Sequence, residues 1–311
     1  MAASDHEEAK AVLARLNLFA GAEVAGARVS RLGGLTNRVF RIDLARKTYC
    51  LRIPGKGTEE YINRRNEEQA ARQAAAAGVS PEVVFVEPGT GVMVTNFIDG
   101  TVTMSPGLFK TRPGSPERAG LAFRRLHESG AAFPFRFELF SMIDDYLKVL
   151  SAKNVDFPEG YHDVLRESDE IRLALAAHPL PLAACHCDPL CENFLDTGER
   201  MWIVDWEYSG MNDPMWDLGD LSVEGSFDPD QEARMIEAYF GGRPSLPEMG
   251  RIVIYKAMCD LLWTLWGLIQ FANKNPADDF WAYSLNRFER CKALMSQSAF
   301  ARYVHEVRRG G

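Results

Sequence analysis

His186-Cys187-Asp188-Pro189-Leu190-Cys191-Glu192-Asn193, followed after a short apolar run by Trp202-Ile203-Val204-Asp205-Trp206-Glu207, is the stretch on which the reading of this chain turns. A carboxylate at Asp188 can orient and deprotonate an incoming hydroxyl, and a carboxamide five residues later, Asn193, can hold one metal ion. A second carboxylate at a strand end, Asp205, can hold the magnesium that bridges nucleotide phosphates. An H-x-D-x-x-x-x-N string also arises by chance, and Asp often only caps turns; the strand-Asp-Trp segment at the right distance downstream lifts the pattern above coincidence. His186 is predicted to be structural, bonding backbone beside the loop, because proton abstraction needs a single acceptor. Cys185, His186, Cys187 and Cys191 also invite a zinc reading. Alternation along a strand would put Cys185 and Cys187 on one face and turn His186 away, and no second Cys/His pair stands at zinc spacing, so buried thiols are expected instead.

Upstream, Arg31-Leu32-Gly33-Gly34-Leu35-Thr36-Asn37-Arg38-Val39-Phe40 reads as a glycine-bearing hairpin whose backbone N–H groups can approach phosphate, with Thr36 and Asn37 adding side-chain donors. It is not a Walker loop: no G-x-x-x-x-G-K-[ST] occurs in the chain. The next strand carries a cation, Arg52, and the next helix a carboxylate, Glu67, which together could form the ion pair that steadies nucleotide phosphates; Glu68 is the adjacent alternative.

Hydrophobic periodicity divides the chain. Val12, Leu13, Leu16 and Phe19 recur at helical spacing, then short β-like runs appear at 38–42, 48–53, 83–86 and 92–95, with a helix predicted over 61–77 that stops at Gly78. Beyond Gly100 the helical candidates are 116–129, 141–151, 161–177, 231–240, 249–273 and one long run over 278–307, with strand-like runs only near 182–184, 194–195 and 202–204. Segment 105–116 is expected to be an irregular surface loop. The pattern is α+β, with a nucleotide-binding lobe over 1–98, a small sheet and one central helix, and a larger, mainly helical catalytic and substrate-binding lobe over 99–311.

The 311 residues exceed the usual size of one core, and 46% hydrophobic with 25% charged residues is globular composition. A formal net charge of −8 argues against nucleic acid or anionic lipid as partner and is compatible with a cationic one. The six cysteines fit reduced thiols, the first ten residues are acidic where a leader would be basic, and a cytoplasmic protein is expected. The apolar stretch Leu261 to Ala272 is too short for a membrane span and is read as a buried helix.

These residues resemble the choline/ethanolamine kinase family, within the wider group that holds aminoglycoside phosphotransferases and is similar in fold to protein kinases. Gly33 to Asn37 matches the family's phosphate loop, Leu51-Arg52 the strand that carries Arg where protein kinases carry Lys, and His186 to Asn193 the catalytic loop. Ile203-Val204-Asp205-Trp206-Glu207-Tyr208 matches the metal segment, followed in family order by Trp216-Asp217-Leu218-Gly219 and Glu224. Pro189 and Cys191 in the loop, and Trp206 where Phe is the more usual residue, depart from the pattern and leave the acid, amide and metal positions intact.

The resemblance implies ATP and Mg2+, an adenine hinge at Asn96-Phe97-Ile98, Asp188 as base, and Asn193 with Asp205 on the metal. It also places Trp263 and Trp266 on a pocket helix and Tyr283 on another wall. Chemistry agrees: a quaternary ammonium donates no hydrogen bond and must be held by aromatic faces and a nearby anion, which Tyr208, Trp263, Trp266, Tyr283 and Glu224 can supply. Trp263 and Trp266 are i, i+3 neighbours and share a side, although Trp at that spacing amid leucines is as readily core. Choline is the first candidate acceptor; ethanolamine, thiamine and an aminoglycoside are alternatives. Protein-kinase activity is not expected, as neither a D-F-G nor an A-P-E segment is present. A silent binding module is the rival from another class, opposed by the presence of Asp188, Asn193 and Asp205 together.

Overall fold

The computed structural model describes residues 3–33, 37–45, 47–55 and 62–310. After α1 (Ala3–Leu16) and α2 (Gly21–Ala25) come β1 (Arg28–Gly33), β2 (Arg38–Asp43) and β3 (Thr48–Ile53); α3 (Arg64–Ala76) then leads to β4 (Val83–Glu87) and β5 (Val92–Asn96). They form one antiparallel sheet in the order β1-β2-β3-β5-β4. Its register aligns Phe40, Leu51 and Val94 on one row and Val39, Arg52 and Met93 on the next. Because neighbours along a strand point to opposite faces, the first row buries against α1 and α2, beside Leu13 and Val24. The second row turns Arg52 and Met93 toward α3, whose Ala70, Ala71 and Ala74 allow close packing. Edge strand β1 was read only as the first arm of the Arg31–Phe40 hairpin, since Arg28-Val29-Ser30-Arg31 alternates weakly.

The rest is mostly helical: β6 (Val102–Thr103), α4 (Pro106–Thr111), α5 (Ser115–His127), α6 (Leu139–Ser151) and α7 (Tyr161–Ala177). Short strands β7 (Ala183–Cys185), β8 (Phe194–Asp196), β9 (Met201–Ile203) and β10 (Gly210–Asn212) precede α8 (Met215–Glu224), α9 (Pro229–Phe240), α10 (Leu246–Ala272), α11 (Phe280–Met295) and α12 (Ser298–Arg309).

Two expectations fail here. Segment 105–116 is not irregular: Ser105 accepts from the Leu108 N–H and Pro106 opens α4, the N-cap and first-turn chemistry that a Ser-Pro pair offers. The single helix over 278–307 is two, because Gln297 is extended between α11 and α12. The break lets α12 lie across α10 at Gly250, where an added Cβ would meet the Tyr303 carbonyl oxygen at 3.0 Å.

Helix α10 is the spine of this part. By length and composition its 27 residues could cross a membrane, but 78% of its apolar window is buried inside the protein. Its polar residues are paired there: Arg251 meets Asp213 at 2.5 Å and Asp260 meets Arg287 at 3.2 Å. Helix α8, not read as a helix in the sequence, packs against α10 so tightly that a Cβ on Gly219 would come within 2.7 Å of the Ile252 carbonyl oxygen.

Candidate active site

The loop that follows β7 is held from behind. Both Asp217 carboxylate oxygens accept backbone N–H groups, from His186 at 2.8 Å and Cys187 at 2.9 Å, while Trp216 Nε1 donates to the Cys187 carbonyl at 3.2 Å. Cys187 takes a left-handed φ of 67°, which these bonds impose on a residue with a side chain. His186 behaves as the sequence suggested. Its Nδ1 accepts from the Asp188 N–H at 3.3 Å, so Nε2 carries the proton and donates to the Val204 carbonyl at 2.9 Å. Burial lowers its pKa and keeps the ring neutral.

The same ring therefore ties the loop to the segment after β9. A second tie is the Val204 N–H to the Asn193 carbonyl, 2.9 Å. Asn193 Nδ2 donates to the Asp188 carbonyl at 3.0 Å, which fixes the amide and turns its oxygen to other use. Asp188, half-buried, is lifted well above the usual carboxylate range by burial and then by Glu224 and Asp205, with Arg287 opposing.

Asp205, in the left-handed region at φ 69°, faces the sheet. Arg52 reaches it at 3.1 Å and Asn37 Nδ2 donates to it at 3.4 Å and to Glu207 at 3.1 Å. Burial and then Glu207 push the Asp205 carboxyl up to about 7 against the pull of Arg52. The question of Arg52's partner is resolved: it pairs with Glu67, buried at 2% exposure, whereas Glu68 pairs with Arg72 at 3.0 Å on the surface. Arg64 was missed. It bridges Glu67 at 2.8 Å and Glu207 at 2.6 Å, and the only hint was its place one turn before Glu67. Glu67, Asp205 and Glu207 have oxygens close enough together to share a cation. All three are oxygen donors, as is the Asn193 amide, and such chemistry suits magnesium rather than zinc.

The remaining predicted residues fall as follows. Gly33 ends β1 and Asn37 is buried at 3% exposure; Gly34, Leu35 and Thr36 lie outside the described residues. At the hinge, the Asn96 N–H bonds the Glu82 carbonyl and the Phe97 N–H the Thr48 carbonyl, while Arg41 lies 4.4 Å over the Phe97 ring. The Ile98 carbonyl accepts from Thr101. Cys185, Cys187 and Cys191 are buried thiols, each pushed up chiefly by burial.

On the far side of Asp188, α8, α10 and α11 converge. Tyr208 meets Trp263 edge-on at 5.6 Å and Trp266 meets Tyr283 at 5.7 Å. Trp263 is 4% exposed and packs as part of the core. Glu224 is bonded at 2.5 Å to Arg287, whose guanidinium lies 4.6 Å over the Tyr283 ring. Neither Arg287 nor Asp220, fully buried next to Trp263, had been singled out; Asp220 stands four residues before Glu224, a helical spacing that could have flagged it.

Fold and site together define a phosphotransferase with a two-lobed, protein-kinase-like architecture, and the phosphotransferase enzyme family matches residues 28–249. The crystal structure of a choline/ethanolamine kinase family protein from Mesorhizobium loti is 67% identical, with 98% of this chain and 99% of that one covered and a TM-score of 0.90. The chain belongs to the choline/ethanolamine kinase family. The choline kinase LicA of Streptococcus pneumoniae is similar at 26% identity, 95% and 100% coverage and a TM-score of 0.76. Protein LicA of Haemophilus influenzae is 24% identical over 279 residues, 86% of this chain and 80% of that protein.

Proposed function

We propose that the protein transfers the γ-phosphoryl group of ATP to the hydroxyl of a small cationic amine alcohol, between a nucleotide-binding lobe over 1–98 and a catalytic lobe over 99–311. The observation that carries this reading is the joined triad: Asp188 raised toward the range of a useful base, Asn193 anchored to it by one bond, and Asp205 beside the Arg52–Glu67 pair. Adenine lies at Asn96 to Ile98 and the phosphates lie under Gly33 to Asn37, steadied by Arg52. Asn193 and Asp205, with Glu207 next to them, would hold magnesium, which neutralises phosphate charge when bound. Asp188 accepts the hydroxyl proton as the oxygen attacks the γ-phosphorus in line; the bond to the β,γ-bridging oxygen breaks and ADP leaves.

Choline is the acceptor that the rings of Tyr208, Trp263, Trp266 and Tyr283 suit, and the relative named choline kinase supports it. Ethanolamine is a second reading, favoured by similar proteins named ethanolamine kinase at 23% identity. An ADP-release assay with magnesium across choline, ethanolamine, thiamine and an aminoglycoside tests the proposal. Turnover of an amine alcohol well above the other two is expected; release with the aminoglycoside alone, or with none, overturns it.

A further inference from the structure

Away from the cleft, two guanidinium groups converge with no acid between them. Gly78, at φ 75° in the turn that ends α3, has both as neighbours: a Cβ built there would stand 3.6 Å from Arg200 Nη2 and 3.7 Å from Arg125 Nη1. Arg125, on α5, is exposed, and Arg200, in the turn between β8 and β9, is half-buried, so the pair opens to solvent. Among the described residues neither guanidinium has an ion pair or a hydrogen bond, and Arg200 Nη2 is buried with no partner. The acids nearby are spent or unused: Asp196 is shared by Arg112 and Arg118, Glu128 pairs with Arg124, and Glu199 reaches neither arginine. The carbonyl end of α3 favours cations near it, yet no carbonyl there accepts from either group. Arg200 is nonetheless fixed in place. Its N–H donates to Thr197 Oγ1 at 3.0 Å, and its guanidinium lies 3.7 Å over the Trp202 ring, a stacking that uses the face and leaves edge N–H groups free. Burial and then Arg125 hold its pKa below the ordinary value, as expected of two like charges brought together.

We propose that Arg125 and Arg200 form a binding site for a small phosphate-type oxyanion, inorganic phosphate or the phosphoryl group of a phosphomonoester, where α3, α5 and the β8–β9 turn meet. Two guanidinium edges offer N–H donors in the fork geometry that suits such an anion, and a dianion neutralises both charges at once. A carboxylate brings one charge and two oxygens, so it satisfies the pair less fully. The site stands apart from the nucleotide cleft but is bonded to its frame. The Val79 carbonyl, next after Gly78, accepts from the Ile203 N–H at 2.8 Å, and Trp206 Nε1 donates to Ser80 Oγ at 3.0 Å. Ile203 and Trp206 flank Asp205, and β8 begins at the residue after Asn193. An anion that joins Arg125 to Arg200 therefore clamps α5 and the β8–β9 hairpin across the end of α3.

The test is calorimetric titration of the full chain with inorganic phosphate at constant ionic strength, repeated with glycerol phosphate and with acetate. ADP and magnesium are present throughout to fill the nucleotide cleft, and wild type, Arg125→Gln and Arg200→Gln are compared, with melting curves of each. Wild type binds one phosphate or one phosphomonoester, and acetate more weakly; each variant loses about tenfold or more in phosphate affinity, the worth of one charge-assisted bond, and keeps its affinity for ADP. The tighter of phosphate and glycerol phosphate tells the free ion from the monoester. If wild type binds neither, or if variants that melt like wild type bind phosphate as well as it does, the site is overturned. Should the variants not fold, arginine modification by phenylglyoxal decides on wild type alone: phosphate protects Arg125 and Arg200, read by peptide mass, and protection confined to other arginines overturns the proposal. Both variants lie outside the cleft, so the result stands whether or not the kinase reading does.

Discussion

The two sides of the site place their carboxylates in opposite electrostatic company. Toward the nucleotide, Glu67, Asp205 and Glu207 are threaded by two guanidinium groups, Arg52 and Arg64, each within ion-pair distance of more than one acid. Toward the acceptor, Asp188, Asp220 and Glu224 lean on Arg287, which is bonded to Glu224 and shared with Asp260. The first arrangement holds itself in shape, since each acid has a guanidinium within ion-pair distance. The second has one guanidinium for three acids, a deficit that the proposed cationic acceptor would offset. Compensation fixes where the acids stand, and the negative charge left over on each side is what a cation would meet.

The largest test of this contrast is Asp188→Asn. It removes the proposed base and should cut turnover by about 10³-fold while nucleotide affinity, read by calorimetric titration, stays within the wild-type range. Full activity would move the base elsewhere. Next, Arg52→Ala breaks the compensated side: leaving Asp205 without its guanidinium and Glu67 with Arg64 alone should cost about 3–5 kcal/mol in urea denaturation. A loss below about 1 kcal/mol, the scale of an exposed ion pair, would show that the network is slack.

Trp263→Ala probes the aromatic wall. Loss of one cation–π contact predicts a rise of roughly 2- to 30-fold in KM for the amine alcohol, beyond any fall in melting temperature; an unchanged KM returns this Trp to the core alone.

Asp220→Asn gives a smaller signal of opposite sign, in stability. The folded carboxyl of Asp220 is held above its ordinary value, so its unfavourable burial is absent below about pH 4, where the unfolded chain is protonated too. Stability is then lost as pH rises, because the unfolded chain gives up a proton that the folded one keeps. The amide removes that penalty: a gain of about 2–4 °C in melting temperature is expected at pH 8 for each kcal/mol relieved, shrinking toward pH 5. A variant that melts lower at pH 8 would mean that Asp220 has a structural partner. Smallest of all, Glu68→Ala should change stability by less than about 0.5 kcal/mol, since its pairing with Arg72 is an exposed i, i+4 contact. A larger loss would blur the distinction drawn between Glu68 and its buried neighbour Glu67.

Much of the site was legible because its chemistry is local in the chain. Asp188, Asn193 and Asp205 lie within eighteen positions of one another, and the loop-strand unit that aligns them is short enough for spacing alone to signal it. Arg52 could be assigned to a strand by period, but not its partner: Glu67 and Glu68 are adjacent on one helix, and only the face that α3 turns to the sheet separates them. Helix α8 escaped because Trp216-Asp217-Leu218-Gly219-Asp220-Leu221 is buried on nearly every side and so shows no amphipathic stripe. The long helix over 278–307 was read as one because no Pro or Gly marks Gln297; packing of α12 across α10 imposes the break.

The sequence by itself determined the fold class and named the candidate reacting residues and the aromatic cluster of the proposed acceptor wall, since periodicity and short spacings are properties of neighbouring residues. Only the tertiary structure decided which charges meet. Arg52 and Asp205 stand 153 positions apart, and Arg287 and Glu224 stand 63 apart. A Coulomb partner depends on which faces pack together, so the chain states how many acids it carries, and the packing of α8, α10 and α11 alone brings Arg287 to Glu224 and Asp260.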